Sequence, residues 1–138
     1  MNFPDIHNGL IDWLKATFPE LADPDGKVDY HVGGERPRPG ESPTLRDRGL
    51  FVLCEIASGT DNRVTDFVTV RIEAFGTSRA AIYSLSEEIR TEILAAPFVA
   101  GGVAVDNATT RMRPIKLPWD GDGVGRYGAT YELSVRRR

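Results

Sequence analysis

His7, His31 and Cys54 carry the side chains best suited to metal binding or nucleophilic attack, and their spacing supports neither role. Neither histidine has a second histidine or a cysteine at ligand spacing, and the chain holds no HxxxH or CxxC. Cys54 is the sole cysteine and lies within the apolar run LFVLCEIA, where a thiol behaves as a small hydrophobe. The glycine-rich run GDGVGRYG lacks the lysine and the following helix that a phosphate loop needs. Asp120 and Asp122 match two carboxylates of a calcium loop, but the twelfth position is Tyr131 instead of glutamate. Glu87, Glu88 and Glu92 fall off the apolar stripe of their helix, beside Arg90, and so read as a solvated face. The expectation is a chain with no catalytic residue, no metal site and no cofactor.

What remains is charge in irregular segments. Residues 33–49, GGERPRPGESPTLRDRG, contain four glycines, three prolines and four arginines with no apolar period, which predicts a long exposed loop. Arg36, Arg38, Arg46 and Arg48 there could meet an acidic partner surface, or be a solvated run balanced by Glu35, Glu41 and Asp47. A second irregular segment is expected at 111–125, with Pro114, Pro118 and Trp119. The closing Arg136-Arg137-Arg138 reads as a solvated tail more readily than as a phosphate contact.

These segments hang on a regular frame. Val68, Val70, Ile72 and Ala74 alternate with Thr69, Arg71 and Glu73, the period of a half-buried strand. After Gly76-Thr77-Ser78, a turn with a hydroxyl cap, Ile82, Leu85, Ile89 and Ile93 form one helical stripe that should cover that strand. Pro97 bounds the helix. Ahead of them, Pro4 and Asp5 open a helix over 4–18 whose stripe is Ile6, Leu10, Trp13 and Leu14, and Pro19 stops it. Asp23-Pro24-Asp25-Gly26 is a turn, and Lys27–Val32 predicts a short, weak strand. Leu50–Ala57 is apolar at nearly every position, which suits a strand buried on both faces, or at a subunit contact, and central in the sheet. The polar run 58–63 should join it as a hairpin to Val64–Phe75. A short strand at Val103–Val105 and a clear one from Tyr127 to Val135 complete the chain.

The 138 residues therefore predict a single α+β domain spanning 1–138: a mainly antiparallel sheet of four to five strands with two helices packed on one face, in the order α-β-β-β-α-β-β. No spanning segment or signal-peptide core is visible, so a cytoplasmic chain or a soluble assembly is expected, without a membrane. Seventeen basic against twenty acidic side chains give a net charge of −3, the wrong sign for a domain whose whole surface attracts nucleic acid.

One stretch resembles a known family. Leu94-Ala-Ala-Pro97 followed by a glycine-bounded strand, Pro118-Trp119 before an acidic link, and Arg126-Tyr127 opening the closing strand ATYELSV are similar to the tail terminator, or tail completion, proteins of long-tailed bacteriophages, especially those of actinobacterial hosts. The likeness covers most of the chain in layout and residues 64–136 in wording. It implies a virion structural protein without catalysis, which forms a homo-oligomeric ring, by family analogy a hexamer, on the head-proximal end of the tail. Such a ring stops polymerisation of the tail tube protein, presents a surface to the head connector or head-closure protein, and lets genomic DNA pass without sequence-specific binding. On that reading Leu50–Ala57 and the loops are the contact candidates, with Arg36, Arg38, Arg46, Arg48, Trp119, Asp120 and Asp122 facing partners or neighbouring subunits. Another head–tail joining protein, or a small α+β enzyme or ligand-binding domain whose pocket holds His31 or Cys54, are the alternatives.

Overall fold

The computed structural model describes residues 6–38, 42–60, 66–117 and 124–137. Helix α1 (Ile6–Thr17) leads into a 3-10 turn at Pro19–Leu21, then β1 (Val32–Gly33), α2 (Leu45–Arg48), β2 (Leu50–Thr60), β3 (Asp66–Gly76), α3 (Arg79–Leu94), β4 (Phe98–Ala100), β5 (Val103–Lys116) and β6 (Gly125–Arg137). The strands form one curled sheet in the order β1-β2-β3-β6-β5-β4. It is mixed, because β1 runs parallel to β2 while the other pairs are antiparallel.

The expected α+β class is present, and β2 and β3 pair antiparallel as expected, although residues 58–60 of the connection expected at 58–63 belong to β2 and 61–63 lie outside the described residues; the core follows the periodicities. Val52 and Cys54, then Val68 to Ala74 at alternate positions, then Ala129, Tyr131, Leu133 and Val135 share one cluster with Ile6, Leu10 and Leu14 of α1 and Ile82, Leu85, Ile89 and Ile93 of α3. Each aliphatic side chain so buried contributes about 1.5–3 kcal/mol. Ser78 caps α3 as its spacing suggested, its hydroxyl accepting from the Ala81 amide at 3.3 Å. The turn at 23–26 also forms, closed by the Lys27 amide donating to the Pro24 carbonyl, with Gly26 at φ 73°.

Helix α1 bridges the curl. It packs against β1 and β2 near one sheet edge and against β4 at the other. Trp13 stacks on Phe98 with centroids 4.4 Å apart. Gly9 permits the approach, since a methyl there would sit 2.5 Å from the Ala100 carbonyl oxygen.

Several expectations are corrected. Among the described residues the sheet has six strands and there are three helices, against four to five and two. The strand expected at Lys27–Val32 is reduced to Val32–Gly33, because Asp29 adopts φ 54° and breaks the extended run. The 33–49 segment is not loop throughout. Thr44 and Asp47 close a capping box, with the Asp47 amide donating to Thr44 Oγ1 at 3.1 Å and the Thr44 amide to Asp47 Oδ2 at 3.3 Å, and this starts α2. Strand β2 stands second from the sheet edge, not centrally, and is buried on both faces because Phe51 and Leu53 pack under Leu45, Phe75 and Val124. The short strand expected at 103–105 runs on to Lys116 and absorbs the first part of the 111–125 segment. Three register shifts along β5 and a proline within it hide the alternation, and both features suit an edge that β4 covers only at Val103–Val105.

Candidate functional site

A cleft of about 860 Å³ opens between α1 and the chain from Val28 to Arg38, floored by Phe51 of β2 and flanked by Arg48 of α2. It lies beside β1, and its walls are held by side chains that extend the two-residue strand. The Val52 amide donates to the His31 carbonyl at 2.8 Å, and His31 Nδ1–H donates to the Leu50 carbonyl at 2.8 Å. On the far side of β1, His7 Nε2–H donates to the Cys54 carbonyl at 2.6 Å. A carbonyl only accepts, so these bonds place the proton on Nε2 of His7 and on Nδ1 of His31. Two imidazoles thus continue the ladder where the backbone of β1 stops, and the Gly34 backbone lies against the His7 ring.

Arg48 closes the other wall. Its Nε donates to the Pro43 carbonyl at 3.1 Å, and Nη1 donates to the carbonyls of Asp29 and Tyr30 at 3.2 and 3.1 Å. The guanidinium also lies 5.3 Å from the Tyr30 ring centroid and 5.6 Å from that of Phe51. Asp29 is held from its side chain by Lys15, which also reaches Asp23 at 3.1 Å. Burial pulls the Lys15 pKa down, but the Asp29 and Asp23 carboxylates outweigh it and leave the ammonium above its ordinary value. The floor and rim of the cleft are therefore built before any ligand arrives.

Of the sequence candidates, Arg36, Arg38 and Arg48 come together in this lining, while Arg46 is exposed on α2 and is not part of it. Trp119, Asp120 and Asp122 lie outside the described residues, as do Pro4 and Asp5. His7 and Asn8 also line the cleft. Sequence reading weighed His7 only as a metal ligand and did not single out Asn8, because no local signal tells that a helix N-terminal histidine reaches a carbonyl 47 residues away. Among the described residues the lining offers planar cations beside Asp29 and Glu35. Such a surface suits bidentate recognition of carboxylates or other anions.

His31 and Cys54 are not in the lining. Burial pushes the Cys54 thiol up to about 12, with the Glu55 charge adding to it, which disfavours the thiolate there. Glu88 and Glu92 are exposed as expected, whereas Glu87 and Arg90 are half-buried. Tyr131, beneath them, is pushed well above the usual phenol range by burial.

No protein-family model matches the chain, and no curated protein matches it.

Proposed function

We propose that this chain is a structural subunit that caps the head-proximal end of a long-tailed phage tail tube, as a closed ring, by family analogy a hexamer. The carrying observation is the wording from Leu94 to Val135, whose helix end, glycine-bounded strand, Pro118-Trp119 link and closing strand resemble tail terminators. The layout supports it physically. A capping ring needs a rigid protomer with two distinct contact surfaces, since a heterologous interface of the right rotation closes into a ring. Here the sheet is held from one face by α1 and α3. Among the described residues β1 covers only Val52 and Leu53 of β2, and β4 only Val103–Val105 of β5, so both strands present edge elsewhere. The ring would stop addition of tube protein, face the head connector, and pass DNA through a lumen that the net charge of −3 does not make adhesive. The virion tail is then its place of action.

Tails assembled with and without the protein, measured by electron microscopy, test the reading. Unregulated lengths without it and one uniform length with it are expected. Unchanged lengths together with no binding at tube ends would refute it, and binding to portal rings in place of tubes would assign the chain to another joining role.

A further inference from the structure

We propose that the free edge of β5, from Asn107 to Lys116, takes up an extended acidic segment of a partner protein as an added strand, with carboxylates facing Lys116 and Arg90. A single protomer suffices for this contact, and it bears on the capping reading only in giving this edge to a protein other than a second copy.

The edge is unpaired backbone. Among the described residues β4 pairs with β5 only at Val103–Val105, while α3 packs against β5 from one face of the sheet. On its inner side β5 keeps an unbroken register with β6 from Asn107 to Thr110, opposite Ser134 to Tyr131, before a shift between Thr110 and Met112. Four regular residues thus hold their outward amides and carbonyls with no strand beside them, and a peptide laid there extends the ladder. Such a row alternates donors with acceptors. A phosphate chain, which only accepts, does not match it.

Charge selects the occupant. Residues 107–117 contain Arg111, Arg113 and Lys116 and no acidic residue. Arg111 pairs with Glu132 at 3.1 Å, whereas Arg113 and Lys116 are exposed and make no ion pair among the described residues. These cations repel a second β5 edge, and the part of β2 that β1 leaves open, residues 55–60, brings one acid, Glu55, so neither edge of a second copy supplies paired carboxylates.

The helix side carries an independent observation. Thr110 stands opposite Tyr131, and its Oγ1 is buried without a hydrogen-bond partner. Arg90 of α3 is close enough to that ring for its charge to act on the phenol, and its Nε is likewise buried and unpartnered. Glu87 acts on the phenol too, yet no ion pair joins it to Arg90. A half-buried guanidinium without a counter-charge is costly, and an incoming carboxylate relieves it.

Spacing then defines the segment. Lys116 stands opposite Tyr127, which Tyr83 of α3 meets with ring centroids 5.6 Å apart, so Lys116 and Thr110 share the helix side. Tyr127 and Tyr131 are four residues apart on β6, about 13 Å of strand. An added strand repeats that step. Acids at i and i+4 therefore meet Lys116 and Arg90 together, while acids at i and i+3 fall on opposite faces.

The test is fluorescence anisotropy of the purified chain with labelled synthetic peptides of about ten residues, alternating threonine and valine except for two glutamates. The peptide with glutamates at i and i+4 is expected to bind and to add hydrogen-exchange protection at the amides of Asn107 to Thr110. Its i, i+3 counterpart and an i, i+4 lysine peptide are expected to bind about tenfold more weakly or not at all. K116E alters an exposed side chain and is expected to weaken binding about tenfold, as is R90Q once circular dichroism shows it folded. Absence of binding, equal binding of the i, i+3 peptide, K116E binding like wild type, or binding without protection at residues 107–110 would overturn the proposal. A single-stranded DNA oligonucleotide that displaces the peptide and is itself lost in K116E would assign the edge to phosphates, and self-association abolished by K116E would assign it to a second copy; either overturns it. Tail length plays no part in these readouts, so this contact and the capping role can fail separately.

Discussion

The inner face of the sheet buries aliphatic side chains from β2, β3, β5 and β6 beneath α1 and α3. The outer face holds a smaller cluster among the described residues, Phe51, Leu53, Phe75 and Val124, beside an ion pair. In that pair Arg126 Nε donates to Glu73 Oε2 at 2.9 Å and Nη2 to Oε1 at 2.7 Å, while the Glu73 side chain is only 4% exposed. The inner face draws its stability from area, which is spread over many residues and falls gradually when one is trimmed. The outer face depends on a bidentate pair that stays favourable only while both partners are present.

Removing one partner separates the two cases most sharply. Arg126→Ala leaves the Glu73 carboxylate buried and uncompensated, and urea unfolding is expected to show a loss of about 3–5 kcal/mol. Replacing both residues by leucine should return most of it; a double variant as weak as the single one would show that the pair is not the cause.

The inner face responds to pH instead. The Cys54 thiol is shifted from 9.0 to about 12, so between those values the unfolded chain has released a proton that the folded chain retains. Stability is then full below pH 9 and falls as pH rises, by about 1.4 kcal/mol per unit and about 4 kcal/mol by pH 12. The raised Tyr131 adds to the loss in the same direction above the ordinary phenol value. Cys54→Ala should flatten the slope between pH 9 and 10 in pH-dependent unfolding, and an unchanged slope would place the effect elsewhere.

The smallest effect belongs to the rim of the outer cluster. Thr44→Ala removes one side of the α2 capping box, and a loss of about 1 kcal/mol is expected from thermal unfolding. Because α2 also carries Arg48, hydrogen exchange at the Asp29 and Tyr30 region should rise in parallel.

The frame was legible wherever one face of an element meets the core. Ile82, Leu85, Ile89 and Ile93 announce α3, and the alternation of Val68 to Ala74 announces β3, because burial on one side imprints its own period on the residues. Thr44 and Asp47 carried a readable cap as well, although a glycine- and proline-rich setting concealed it. Strand β5 was not legible past Val105, since each bulge resets the alternation.

Sequence by itself determined the α+β class, the core faces of α1, α3, β3 and β6, the apolar setting of Cys54 and the cluster of loop arginines. Tertiary structure alone decided that Arg36, Arg38 and Arg48 share one cleft with His7 while Arg46 does not. It also decided that two imidazoles complete the ladder beside β1. The reason is that periodicity records only whether a residue faces inward. Which residues meet across 19 or 47 positions depends on how the chain returns, and no local pattern encodes that.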